Sequence, residues 1–147
     1  MEKSFNYPPL TELLTLSEAE IREWFSKVTV WRDEEMASIR NTAEQETITL
    51  RLETEIERKR ICSLMDLKRK QTKCDGTPDA RDHNIDIKKA IRDLDFDLRM
   101  FELEQSRKLS EIRYRSTTDI NAVQRQWEKT HGQLCQALRH IKENDPE

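Results

Sequence analysis

Apolar residues recur every three or four positions through the second half of this chain. Ile87, Ile91, Leu94, Leu98, Phe101, Gln105, Leu109, Ile112, Ser116, Ile120, Val123, Trp127, Thr130, Leu134, Leu138 and Ile141 form one stripe, interrupted by Gln105, Ser116 and Thr130. The mean step is about 3.6, the α-helical period. In the first half, Val28, Ile39, Leu50 and Ile61 lie 11 residues apart, again on one side of a helix. A strict seven-residue repeat imposes a left-handed supercoil, whereas steps of 3.6 or 11 relax it. Two long, nearly straight helices are therefore expected, each with an apolar seam that a lone solvated helix does not need.

The punctuation gives their limits. Ser17-Glu18-Ala19-Glu20 fits a capping box, with Leu16 and Ile21 placed as a hydrophobic staple. Cys74-Asp75-Gly76-Thr77-Pro78-Asp79 is the clear interior break. The first helix is expected over 17–73, the turn over 74–82 and the second helix over 83–143. Thr77 ahead of Pro78 offers an earlier legal start. Residues 144–147, Asn-Asp-Pro-Glu, read as a stop and a frayed tail. Residues 1–16 differ in character: Phe5, Tyr7, Pro8, Pro9 and several leucines make an apolar, turn-containing arm. Gly132 falls inside the second helix and reads as tolerated there, at a cost of about 1 kcal/mol relative to Ala.

Charge order turns two helices into a hairpin. Residues 18–57 carry 11 acidic and 5 basic side chains, and 58–73 carry 1 and 7. Residues 75–104 carry 9 and 5, and 107–142 carry 3 and 8. Folding the chain back near Gly76 sets each block against its opposite, whereas a parallel homodimer would align like charges. Residue numbers summing to about 156 then face each other at 100° per residue. Arg58, Lys59 and Arg60 should lie near Asp93, Asp95 and Asp97, and Trp31 near Trp127. The expected fold class is all-α: an elongated antiparallel helical hairpin of coiled-coil type with a short N-terminal arm, part of a larger helical bundle.

The bundle is implied by a second set of apolar positions. Ile48, Leu52, Ile56 and Leu67 lie well over 100° round the first helix from its seam, and Ile85, Phe96, Leu103 and Tyr114 lie opposite the seam of the second. One partner helix cannot cover two stripes, so these residues are the expected contacts with other helices, from another copy or a different subunit. In the arm, Leu10, Leu13 and Leu14 are the candidate anchors. Leu10-Thr11-Glu12-Leu13-Leu14 also resembles the short leucine box that docks to nuclear receptors, a pattern common by chance.

Composition narrows the function classes. The chain of 147 residues is 37% charged, 35% hydrophobic and holds 2 Gly, which suits coiled coil. The net charge of −3 creates no global field for nucleic acid. Arg58, Lys59, Arg60, Lys68, Arg69, Lys70 and Lys73 form a local basic block. It is suited either to the acidic block of the second helix or to a polyanion such as a microtubule, nucleic acid or an acidic membrane. His131, Cys135 and His140, with distant Cys62 and with Cys74 and His83 at the turn, give no four-ligand zinc pattern. No phosphate cradle or nucleophile motif is present, so neither catalysis, cofactor nor metal is expected. No apolar run approaches the ~20 residues of a membrane span. Three irregularly spaced cysteines without a secretion signal suggest a cytoplasmic setting, cytoskeletal structures included, with the nucleus as the alternative. The expected role is that of a non-catalytic coiled-coil structural or scaffold subunit of a larger assembly. The alternative is a polyanion-binding adaptor using residues 58–73.

Overall fold

The computed structural model describes residues 8–72 and 76–144. Among the described residues there are three helices: α1 (Leu10–Leu13), α2 (Glu18–Lys70) and α3 (Pro78–Asn144). The fold is all-α, a helical hairpin in which α2 and α3 pack against each other. Lys73, a member of the basic block, and Cys74 and Asp75 of the turn lie outside the described residues.

Local chemistry sets the helix ends. At the start of α2 the Ser17 hydroxyl accepts the backbone N–H of Glu20 at 3.3 Å and donates to the Glu20 carboxylate at 3.0 Å. This satisfies one of the first-turn amides that have no intrahelical acceptor. The expected end of the first helix at 73 gives way to Lys70, after which Gln71 and Thr72 donate to Lys68 and Arg69 in tighter i to i−3 turns. Gly76 then takes a φ of 69°, a left-handed conformation that glycine adopts without the Cβ clash of other residues.

The second helix begins at Pro78, five residues before the expected 83. Thr77 is its cap: the hydroxyl accepts the Ala80 N–H at 3.1 Å, and Pro78 occupies the first helical position, where a missing N–H costs nothing. His83, one turn in, reaches across the break, with Nε2 2.9 Å from the Gln71 carbonyl at the frayed end of α2.

The chain divides into two compact units, residues 1–43 with 114–147 and residues 44–113. In the first, α2 and α3 run antiparallel, since Phe25 meets His131 while Thr29 and Arg32 meet Trp127. Its core is Leu13, Ile21, Val28, Leu134 and Ala137, with Leu10, Leu16, Trp24, Phe25, Trp127, Leu138 and Ile141 packed around it. The leucine arm closes this core, and Leu16 and Ile21 are both part of it, as a staple requires. Trp127 has Thr29 Oγ1 at 3.4 Å from its Nε1 and the Arg32 guanidinium 4.3 Å above its ring. His131 also stacks on this ring, with centroids 4.6 Å apart.

In the second unit the segments are again antiparallel, with Arg58 against Glu102 and Gln71 against His83. Leu50, Ile61 and Met65 of α2 and Ala80, Ile87 and Gln105 of α3 are buried. Every seam position named above for the second helix is buried or half-buried. Gly132 is exposed, and a Cβ placed on it would meet nothing within 4 Å, so no close backbone approach demands glycine there.

Candidate docking surfaces

The second apolar stripe stays in solvent. In the unit of residues 44–113, Ile48, Leu52, Ile56 and Leu67 of α2 are exposed, Ile56 at 69%. On α3 the same holds for Ile85, Phe96, Met100 and Leu103, with Phe96 at 62%. Tyr114, in the other unit, is 76% exposed. These side chains point away because a helix can present only one face to its hairpin partner. That face is taken by the 3.6-period seam, and residues more than about 100° from it remain outside. Met100 was not singled out by the sequence pattern; its position one step from Phe96 and Leu103 was the available signal. Large apolar side chains aligned along a helix, rather than scattered, are the mark of a contact surface.

The arm behaves differently from an exposed docking motif. Leu13 is 0% exposed and belongs to the core of the first unit, with Leu10 half-buried beside it. Only Leu14 of the three leucines faces solvent. The reason is local: α1 is a single turn, Pro9 accepts the N–H groups of Glu12 and Leu13, and the turn aims Leu10 and Leu13 towards Ile21 and Leu134. A leucine box used on a receptor would need Leu10 and Leu13 free.

The basic block is largely engaged by acidic neighbours. Arg58 crosses to Glu102 at 3.1 Å, but Lys59 turns to Glu55 at 3.6 Å and Arg60 to Glu57. Arg69 pairs with Asp66 at 2.8 Å, Lys68 is half-buried and Lys70 is exposed. Arg58, Lys59 and Arg60, expected near Asp93, Asp95 and Asp97, form their ion pairs with these other carboxylates, and Asp95 holds Arg99 of its own helix. Partners three or four residues away are already within reach on one helix surface, so they are ordered at little extra entropy. The same local pairing recurs at Arg22–Glu18 and at Arg107 with Glu104 and Glu111.

Hydrogen bonds from Arg22, Arg60 and Arg107 hold the Glu18, Glu57 and Glu104 carboxyls below the usual glutamate range. All three lie at the surface, where such pairs contribute little.

Two further features were not anticipated. His131 makes a T-shaped contact with Phe25 and a stacked one with Trp127, with Cys135 Sγ 3.7 Å from its Nδ1. Among the described residues no three His, Cys, Asp or Glu side chains gather in a way that would hold a metal ion. Gln105 is buried in the α3 seam, and its Oε1 accepts no hydrogen bond. Among the described residues no helix is long and apolar enough to cross a membrane. No protein-family model matches the chain, and comparison with curated proteins and with solved structures gives no match.

Proposed function

We propose that this protein is a non-catalytic coiled-coil subunit of a larger protein assembly, a brace or spacer that binds partner helices through the apolar stripes of residues 44–113. The observation that carries this reading is the solvent-facing alignment of Ile48, Leu52, Ile56 and Leu67 on α2 and of Ile85, Phe96, Met100 and Leu103 on α3. Such residues, repeated at helical spacing, are suited to helix-on-helix docking. The leucine arm is then chiefly a closure of the first unit, with Leu14 left as its exposed contact. A cytoplasmic setting, including cytoskeletal structures, fits the cysteine usage.

The adaptor reading, with residues 58–73 on a polyanion, has less support. Arg58, Lys59, Arg60 and Arg69 each have a carboxylate partner that a phosphate would need to displace. The two readings differ in salt dependence. Apolar docking persists at about 0.5 M salt, whereas phosphate binding falls with a steep logarithmic slope. The test is co-isolation of named partners with the intact protein at low and high salt. Phe96→Glu with Leu103→Glu should abolish salt-resistant association while leaving helicity intact, because both side chains are exposed. Association that vanishes at high salt and survives the two substitutions would reject the docking reading.

A further inference from the structure

The first unit holds a segment that is packed into its core yet tied to it by little. Residues 9–16 wind into a short turn whose backbone hydrogen bonds close within itself. Glu12 and Leu13 donate to Pro9, Leu14 to Leu10, Thr15 to Glu12 and Leu16 to Leu13. The Thr15 hydroxyl donates to the Glu12 carbonyl at 2.6 Å. What seats this arm is apolar packing: Leu13 is fully covered, in one cluster with Ile21, Leu134 and Ala137, and Leu10 packs against that cluster half-buried. We propose that the arm is a displaceable strap, and that the seat beneath it takes a helical turn with the same leucine spacing from another protein.

The hairpin end is complete without the arm. Ser17 and Glu20 cap the start of α2 between them, and Ile21 donates to the Ser17 carbonyl. The arm can therefore lift at Leu14 and Thr15 while α2 keeps its first turn. A helix of one turn has no stability of its own, and Pro9 gives α1 no side-chain cap. Burial of one leucine wholly and a second in part favours the closed arm by about a hundredfold. Opening of α2 and α3 breaks many more contacts, so the arm is the part that opens first.

The occupant is defined by what the seat already holds. Leu10 and Leu13 lie three positions apart, so one helical turn presents both to the same side. A partner helix with two leucines at that spacing makes the same contacts, and a helix longer than α1 adds others along the groove. The arm then competes for its own seat, and the partner's apparent affinity is lowered by the fraction of arms that are open. This site lies in the unit of residues 1–43 with 114–147, apart from the stripes of residues 44–113.

A synthetic probe offered to the full chain tests the strap. The probe is a fluorescein-labelled amphipathic helix with two leucines three positions apart; its control has alanine at both. Leu13→Asp releases the arm and leaves Ser17 and Glu20 in place, with helicity followed by far-UV circular dichroism. By fluorescence anisotropy this variant should bind the leucine probe about a hundredfold more tightly than the wild-type chain, and the alanine control should bind neither. Hydrogen exchange on the wild-type chain needs no variant. The amides of Leu13 to Leu16 should be protected about a hundredfold, far less than those of Phe25 to Val28, and saturating probe should remove that protection. Equal binding to the two chains would overturn the proposal, as would leucine and alanine helices that bind alike or a Leu13→Asp chain that binds no probe. Arm amides protected as strongly as those of α2 would do the same. A wild-type dimer that Leu13→Asp dissolves would replace the strap with arms exchanged between two copies. Phe96→Glu with Leu103→Glu changes only the other unit and should leave probe binding unaltered, so this reading and the docking reading fall separately.

Discussion

Replacing Gln105 with an apolar side chain should stabilise the hairpin, although most substitutions at buried positions do the reverse. Gln105 occupies a seam position of α3 between Phe101 and Leu109, is 8% exposed, and leaves Oε1 without a donor. A buried carbonyl deprived of hydrogen bonding costs about 1–3 kcal/mol relative to its solvated state. Methionine is the closest unbranched shape and brings no unsatisfied oxygen, so it avoids both cavity and overpacking. The expected gain for Gln105→Met is about 1–2 kcal/mol once part of the amide's other interactions is lost. With a urea slope of about 2 kcal/mol/M, the midpoint of unfolding followed by circular dichroism should rise by roughly 0.5–1 M. Gln105→Leu should also raise it, by less if the branched side chain strains the seam. A midpoint that stays put or falls for methionine would refute the reasoning, because it would mean the amide is fully paired. A polar residue in an apolar seam can also hold the register of a helix pair. The leucine variant therefore carries a second readout, a broader distribution of masses in sedimentation velocity.

Other consequences are simpler. Leu134→Ala removes a side chain only 1% exposed from the core formed with Leu13, Ile21 and Val28; a loss of about 2–5 kcal/mol is expected by thermal or urea unfolding. Gly132→Ala should stabilise by about 0.5–1 kcal/mol, since the added methyl meets nothing and the helix gains propensity; a lowered midpoint would show a hidden contact. The depressed carboxyls of Glu18, Glu57 and Glu104 bind protons less readily folded than unfolded. Their small contribution is therefore complete above the usual glutamate pKa of about 4.3 and is lost as pH falls through their lower folded values. Thermal midpoints should hold near neutrality and drop below about pH 4.5, with Glu57→Gln flattening that drop slightly at low salt.

Particular elements show how much of this was written locally. The α3 seam could be read in full, since burial on a helix needs only one face per 3.6 residues, and each position from Ile87 to Ile141 is covered. Ser17 and its staple were equally legible, because capping satisfies amides within three residues. The exposed faces at 48–67 and 85–103 followed by subtraction from the seam. The charge register did not carry over to individual pairs: Lys59 and Arg60 found carboxylates on their own helix, where no chain closure is required. The fate of Leu13 was not legible at all. Helical spacing says that Leu10 and Leu13 share a side, but nothing local says that Leu134 and Ala137, more than a hundred residues on, return to cover it.

The sequence by itself therefore determined the helices, their caps, the break at Gly76 and which stripes would be apolar, all properties fixed by interactions within about four residues. Only the tertiary structure decided which stripe is covered, where the arm lodges, that His83 reaches Gln71, that Gln105 is buried and that Phe25, His131 and Trp127 meet. Those outcomes depend on which distant segments meet, and the free energy of such contacts is set by shape and desolvation at the interface, quantities that no local pattern contains.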